Sequence, residues 1–412
     1  MSPAQWLRYR TEILVRDPGA IAWMFFVATI YATATFVRSQ QIGSFGPDHM
    51  MILASDMLSH GRSDLTTLTT INDIVTIGGR NYQAMSLLPT VPYFILVPFE
   101  ALWPLSRWIV STTLGILAGW VALPLARRYG PGGSADYWLA ALGAFGTLLF
   151  TLSFEGNFYY LAHLESVLLI SLALIEWQGA RRPFALGLLI GLSGLARPTL
   201  WIVAVPFGLA LMADRSERRD ARPAWFVALG LTAVAFGLPI LASVVATGWF
   251  DWVRFGSPLE TGYDISWITP PLERLRQQGL FSVVHLPDNL RLFLTGGIDH
   301  VRDSFPWIVP SNQGHSIFLT TPAVLIALNA GFRDRTNLVL WSSAILAAIP
   351  VFLYYGGGGA STYGFRYEMD FMPFLVALVA IACRRHFGWV EKTLIALSVV
   401  FVCYGFVWQA FK

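Results

Sequence analysis

Long apolar runs alternate along the chain with short segments rich in arginine. The runs fall at about 20–38, 107–126, 136–153, 158–178, 184–196, 199–212, 224–248, 315–331, 337–354, 371–383 and 391–411. A helix needs about 20 apolar residues to cross a bilayer, fewer if neighbours bury its ends. The pattern therefore predicts an all-α polytopic membrane protein with about eleven spans. The pair 184–196 and 199–212 is short and is expected to go out and back. The apolar stretch Leu87 to Leu105 holds Pro89, Pro92, Pro98 and Pro104. Proline removes a backbone donor and clashes with the preceding turn, so this stretch is expected to lie on the membrane or re-enter it.

The arginines fix a handedness for this pattern. Arg8, Arg10 and Arg16 precede the first run, and positive residues stay cytoplasmic, so the N-terminus is expected inside. No small-residue cleavage site follows the first run, which reads as a retained anchor. With Leu87–Leu105 not spanning, Arg127–Arg128, Arg181–Arg182, Arg215–Arg222, Arg333–Arg335 and Arg384–Arg385 all fall on the cytoplasmic side. The larger polar segments, 39–86, 249–314 and 355–370, are then external. The whole chain, 1–412, reads as one transmembrane domain, with 39–106 as a first external loop carrying juxtamembrane helices.

Composition agrees with that pattern. Of 412 residues, 55% are hydrophobic and only 13% are charged, against about 25% charged in soluble domains. Mean hydropathy is +0.55. The net charge of +3 is small, and no nucleic-acid partner is expected. Cys383 and Cys403 lie in apolar runs and read as small hydrophobes. Arginine outweighs lysine, which hints at a GC-rich bacterial genome; the expected location is the bacterial plasma (inner) membrane. No Walker motif, dinucleotide fingerprint or Gly-x-Ser-x-Gly elbow is present, so nucleotide-driven transport and serine hydrolysis lack support. Internal repeats are not apparent, which weakens a transporter built on inverted repeats.

Several constellations carry candidate chemistry. Asp48 and His49 stand where the chain has left the first run. A carboxylate near an interface sheds solvent and gains basicity, which suits it to take a proton from a hydroxyl. Met50, Leu53, Ala54, Met57 and Leu58 have helical spacing, so Asp48 reads equally as a first-turn acid or N-cap of that helix. Glu155 sits in an external turn, and His163 and Glu165 follow at membrane depth. Intramembrane ionisable groups are costly and face a cavity or a partner; a substrate pocket and a helix–helix polar pair both remain open. Arg197, between two half-length runs, needs an anion, a carboxylate or a lipid phosphate, unless it snorkels. Arg366 follows the run Gly356–Gly359 and is flanked by Tyr363 and Tyr367. It is suited to clamp a phosphate, while the tyrosines stack on a sugar or headgroup or form an interfacial belt.

In this order the segments resemble the membrane-embedded glycosyltransferases of the GT-C superfamily. The nearest look is to the bacterial branch related to dolichyl-phosphate-mannose protein mannosyltransferases and the lipid A aminoarabinose transferase. Asp48 takes the position of the family's acid after the first helix, where many members have Asp-Glu and this chain has Asp48-His49. Gly79-Arg80-Asn81-Tyr82 and Leu88-Pro89-Thr90-Val91-Pro92-Tyr93 follow at similar spacing. Gly194-Leu195-Ala196-Arg197-Pro198, Phe255-Gly256-Ser257-Pro258-Leu259-Glu260-Thr261-Gly262-Tyr263 and Gly364-Phe365-Arg366-Tyr367 followed by Pro373 match later family segments. The resemblance implies a GT-C-like bundle and an inverting transfer on the external face. The donor would be a polyprenyl-phosphate-linked sugar and the acceptor a hydroxyl on a glycan, lipid or protein. Asp48 would be the base. Arg366, then Arg197, would stabilise the leaving phosphate, and His49, Glu155, His163, Glu165, Tyr363 and Tyr367 would contact substrate. No cofactor is required, although Asp48 with Glu155 or Glu165 could hold a divalent metal. From another class, a flippase or transporter of a lipid-linked sugar would use the same arginines without a base, and a non-catalytic scaffold would use neither.

Overall fold

The computed structural model describes residues 17–42, 49–65, 73–217, 224–311, 313–359 and 363–411. Asp48 lies outside the described residues. Within them the protein is an all-α polytopic membrane protein. Six helices are long and apolar enough to cross a bilayer: Pro18–Ile42, Glu100–Tyr129, Phe158–Gln178, Phe226–Phe255, Arg335–Leu353 and Trp389–Ala410. The other five apolar runs form shorter or interrupted helices among the described residues. Run 136–153 breaks at Gly146 into Ser134–Phe145 and Leu149–Phe154. Run 315–331 becomes one turn, Ile317–Thr320, and a 3-10 stretch, Pro322–Ala330, started by Pro322. Pro183–Ala196, Pro198–Asp214 and Met372–Cys383 are too short to cross alone. They are stabilised by packing: Leu186 and Ile190 are buried, and so are Phe374, Ala377 and Leu378.

The Leu87–Leu105 stretch forms no spanning helix of its own; only its last turn, Glu100–Leu105, runs on into the long helix Glu100–Tyr129. Its prolines divide it into the turns Leu88–Thr90, Val91–Phe94 and Glu100–Leu105. Tyr93 is buried, while Ile95, Phe99 and Leu105 are exposed, an apolar outer edge of the kind that meets lipid.

One hydrophobic core runs through the bundle from Trp23 on the first helix to Trp408 on the last. Small residues bring helices close where side chains have no room. A Cβ on Gly187 would sit 2.0 Å from the Phe236 carbonyl oxygen, and one on Gly191 would sit 2.9 Å from that of Pro239. Glycine at both positions lets the Pro183–Ala196 helix lie directly on the Ala224–Phe255 helix.

The arginine pairs gather at one end. Arg181 reaches Asp214 at 2.6 Å and Arg335 pairs with the same carboxylate. Arg384 donates to the Arg128 carbonyl at 2.7 Å, and Arg127 pairs with Asp17 at 2.7 Å. The sequence pattern required these clusters to share a side.

The polar segments supply two small ribbons. Strand β1, Ile74–Ile77, pairs antiparallel with β2, Arg80–Gln83, in the register Ile74 to Gln83 and Ile77 to Arg80, joined by Gly78-Gly79. Strand β3, Ile298–Val301, pairs with β4, Ile308–Pro310. The expected helix after the first run extends from His49 to His60 and buries Met50, Met51, Leu53 and Ala54.

Candidate active site

A cavity of about 260 Å³ opens at the end of the bundle away from the arginine pairs. Six segments of the chain line it among the described residues, and local sequence explains how several of them are placed. The Phe158–Gln178 helix starts where the Asn157 side chain accepts from the Tyr159 backbone N–H at 3.0 Å, an N-cap. Its first turns then present Tyr159, Ala162 and His163 to the cavity. From His163 to Gln178 that helix climbs about 22 Å toward the arginine end.

Arg197 owes its place to Pro198. A residue before proline is pushed out of the α region, and Arg197 is extended at φ −139°, ψ 99°. The helix stops there, and the guanidinium turns inward instead of following the helical surface. Its Nε lies 2.5 Å from Asp370 Oδ1 and its Nη2 donates to Oδ2 at 2.8 Å. His163 completes the cluster, with Nδ1 3.5 Å from Asp370 Oδ1 and Nε2 3.4 Å from Arg197 Nη1. The side chains of His163 and Asp370 are fully buried. Arg197 is therefore an answered charge, and the sequence alternative of a carboxylate partner is the one realised.

Arg366 is different. Its Nη2 donates to the Tyr367 hydroxyl at 3.0 Å, and its guanidinium faces the rings of Tyr367 at 4.9 Å and Tyr160 at 5.7 Å. Among the described residues, no carboxylate lies within 4.0 Å of it, and its buried Nε has no hydrogen-bond partner. The glycine run makes its place. Gly359 has φ +86°, and a Cβ there would sit 2.5 Å from Arg366 Nε. Only glycine accepts both that backbone conformation and that approach.

Aromatic and loop residues close the walls. The Tyr367 ring stands 5.4 Å from that of Tyr354 and 5.5 Å from that of His163. Tyr263 and Phe281, from the 249–314 loop, and Asp73, from the first polar loop, line the same space. Asp73 has φ +66°, rare for a residue with a Cβ. Its backbone N–H donates to the Trp267 carbonyl at 2.9 Å, and its carbonyl accepts from Ala84 at 2.8 Å. Arg254 anchors that ribbon: it donates to the Gln83 carbonyl at 2.7 Å and pairs with Asp251 at 2.5 Å. Burial pushes the Asp73 carboxyl up to about 6, although the Arg366 and Arg276 charges and a hydrogen bond from the Tyr159 hydroxyl pull it down.

The structure thus brings His163, Arg197, Arg366 and Tyr367 into one cavity. It places the other candidates elsewhere. The ring of His49 packs edge-on against Phe158 at 5.5 Å. Glu155 pairs with Arg38 at 3.0 Å, and Arg38 also donates to the Gln409 carbonyl at 2.6 Å, tying the first helix to the last. Glu165 is buried in the helix core, off the cavity. Tyr363 is no stacking surface for a ligand: its hydroxyl donates to the Phe401 carbonyl at 2.7 Å and its ring meets His315 at 4.9 Å. Among the described residues, no three His, Cys, Asp or Glu side chains cluster as metal ligands. The Glu155 carboxylate is already held by Arg38.

Among the cavity residues that sequence reasoning did not single out are Asp73, Tyr159, Tyr263 and Tyr354. Asp73 carried one readable signal: a short acidic residue just before an apolar strand and a Gly-Gly turn, a setting that tolerates positive φ. The tyrosines carried none beyond aromaticity.

No family profile and no curated sequence matches the chain. The fold does have solved counterparts. The archaeal oligosaccharyltransferase AglB from Archaeoglobus fulgidus, solved with an inhibitory peptide and a dolichol-phosphate, superposes with a TM-score of 0.50 at 14% identity. The match covers 94% of this chain and 55% of that one, so the chain spans about half the length of that neighbour. An apo oligosaccharyltransferase from the same organism matches at 0.49 and 14%, over 94% of this chain and 55% of that one. The bundle of this chain therefore has the fold of about half of a solved oligosaccharyltransferase.

Proposed function

We propose that the protein is a membrane glycosyltransferase of the GT-C kind, of the bacterial branch. It would move one sugar from a polyprenyl-phosphate donor to an acceptor hydroxyl on a glycan, lipid or protein. The observation that carries this reading is Arg366, a guanidinium turned into an aromatic-walled cavity with no carboxylate answering it among the described residues. A desolvated arginine without an acid is a site for an anion. The fold shared with AglB supports a lipid-linked phosphate as that anion.

The chemistry is a displacement with inversion. The acceptor oxygen bonds to the anomeric carbon as the bond from that carbon to the phosphate oxygen breaks, and polyprenyl phosphate leaves. The leaving group is already an anion, so it needs positive charge in place rather than a proton. Arg366 supplies that charge, steadied by Tyr367. Arg197, spent on Asp370, shapes the cavity wall and adds only a distant field. The acceptor proton goes to Asp48, the base on this reading; such a base contributes about 10² to 10⁴ in rate. The arginine end of the bundle is cytoplasmic and the cavity end external. The active chain resides in a bacterial inner membrane.

The test is sugar release from a panel of polyprenyl-phosphate sugars by the purified protein in lipid, with hydroxyl acceptors added, beside Asp48→Asn. Consumption of one donor by the wild type and not by Asp48→Asn is expected. Equal consumption by both removes Asp48 from the chemistry. Movement of intact donor across the bilayer by both, without release, makes the protein a flippase.

A further inference from the structure

Among the described residues, Asp73 is the one carboxylate that lines the cavity, and the chemistry above does not use it. It lines the same space as Arg366 and Tyr367. Among the described residues, no cation stands within ion-pair distance of it. The charged and titratable groups around it come from every neighbouring element. They are Tyr159 on the Phe158–Gln178 helix, Arg276 and Tyr263 on the 249–314 loop, Tyr354 and Tyr355 after the Arg335–Leu353 helix, and Arg366. Arg276 is occupied by Glu273 and by the Tyr263 and Ser266 carbonyls. The backbone of Asp73 is held on both sides and in a left-handed conformation. Such strain persists where the surroundings enforce it.

We propose that Asp73, with the Tyr159 hydroxyl beside it, is the subsite that holds ring hydroxyls of the donor sugar, next to the arginine that holds its phosphate. The proposal deepens the glycosyltransferase reading and rests on it. An ionised carboxylate offers about four acceptor positions. Tyr159 fills one, and sugar hydroxyls, which are donors in pairs along a ring, suit the rest. The tyrosine rings give such a ring apolar faces to lie against. A cavity of about 260 Å³ has room for one sugar and its phosphate. The substrate class is therefore a single hydroxyl-bearing sugar without an acid group. A uronate would meet like charge at Asp73 and be rejected. Burial pushes its carboxyl up only to about 6, so Asp73 is an all-acceptor group at neutral pH and loses that character below it.

Binding, not turnover, separates this role from that of a base. Affinities of wild type, Asp73→Asn, Tyr159→Phe and Arg366→Gln are measured in lipid nanodiscs for bare polyprenyl phosphate. The same is done for its mannosyl, glucosyl, arabinosyl and glucuronosyl esters. Asparagine tolerates positive φ, so Asp73→Asn keeps the loop. Wild type is expected to hold its best neutral sugar ester about tenfold or more tighter than the bare lipid, and the glucuronosyl ester no tighter. Asp73→Asn is expected to lose that sugar preference while binding bare polyprenyl phosphate as wild type does. Tyr159→Phe loses part of the preference, and Arg366→Gln weakens every ligand alike. A sugar preference unchanged in Asp73→Asn overturns the subsite, even if turnover is lost. So does a wild type with no preference for any sugar over the bare lipid. A wild type that binds no polyprenyl phosphate at all overturns the parent reading, and this inference with it.

Discussion

The Arg197 guanidinium grips the Asp370 carboxylate at two points, Nε to Oδ1 at 2.5 Å and Nη2 to Oδ2 at 2.8 Å. Asp370 belongs to the same 3-10 turn as Arg366, Arg366–Asp370. One turn therefore supplies both the acid that neutralises one arginine and a second arginine that nothing acidic neutralises among the described residues. That division separates the structural charge from the one open to a ligand.

Breaking the pair is expected to damage the fold before it damages binding. Removing one partner of a buried ion pair strands the other, at about 3–5 kcal/mol. Arg197→Ala and Asp370→Asn should each lower the thermal unfolding temperature in detergent by several degrees. The apolar double replacement Arg197→Met/Asp370→Leu should recover much of the loss. If the single variants unfold like wild type, the pair is not structural.

Gly359→Ala should mimic partial loss of Arg366. The new Cβ meets Arg366 Nε at 2.5 Å and sits on a backbone with φ +86°. Strain of about 1–3 kcal/mol and a displaced guanidinium should reduce polyprenyl phosphate affinity about tenfold. In an Arg366→Gln background the same change should cost little further affinity. Additive losses in the double variant would show that Gly359 acts on something else.

The architecture was legible because membrane helices are written in run length and charge. The Arg-bearing ends, the Leu87–Leu105 exception and the helix after the first run all followed from those two signals. The number of full-length spans did not. Gly146 and Pro322 interrupt runs that are apolar enough to cross, and tertiary packing lets the Met372–Cys383 helix stop at one half of the length. Arg366, His163 and Arg197 stand out in the sequence because charge at membrane depth demands an explanation, and the structure brings them to one cavity. Their division of labour was hidden, since Asp370 reaches Arg197 from 173 residues away. Tyr363 lies off the cavity, which the sequence does not show, because belt, stacking-surface and core tyrosines look alike in it. Asp73 was passed over because a polar residue in a polar loop carries no burial signal until the loop is folded over the cavity.

Asp73 gives the pH dependence a sign. Its carboxyl is raised from 3.8 to about 6 by burial, so the folded state holds the proton more tightly than the unfolded chain. Stability is then lost as pH rises from about 4 to about 6. Function runs the other way, since the ionised group is the one that accepts from a sugar. Donor affinity of the wild type should fall as pH drops through about 6. Asp73→Asn should be flat in that range and unfold at a higher temperature at pH 7. Parallel pH profiles for the two proteins would dissociate Asp73 from both effects.

Arg254 positions the site from a distance. Its guanidinium holds the Gln83 carbonyl at 2.7 Å, stacked on Phe250 at 3.8 Å. Arg254→Met keeps the apolar stem but frees the β1–β2 ribbon that carries Asp73, and it strands Asp251. Amide exchange in 73–84 should accelerate, and donor KM should rise several-fold while bare polyprenyl phosphate binding stays. Unchanged exchange would place the ribbon under other control.

The most direct measurement is the affinity of the full chain in nanodiscs for polyprenyl phosphate, wild type against Arg366→Gln, with Arg291→Gln as an exposed-arginine control. A charge-assisted contact to phosphate is worth about 1.5–3 kcal/mol. The expected result is a loss of about 10- to 100-fold in Arg366→Gln and none in Arg291→Gln. Equal binding by wild type and Arg366→Gln would contradict the phosphate site and, with it, the proposed transfer chemistry.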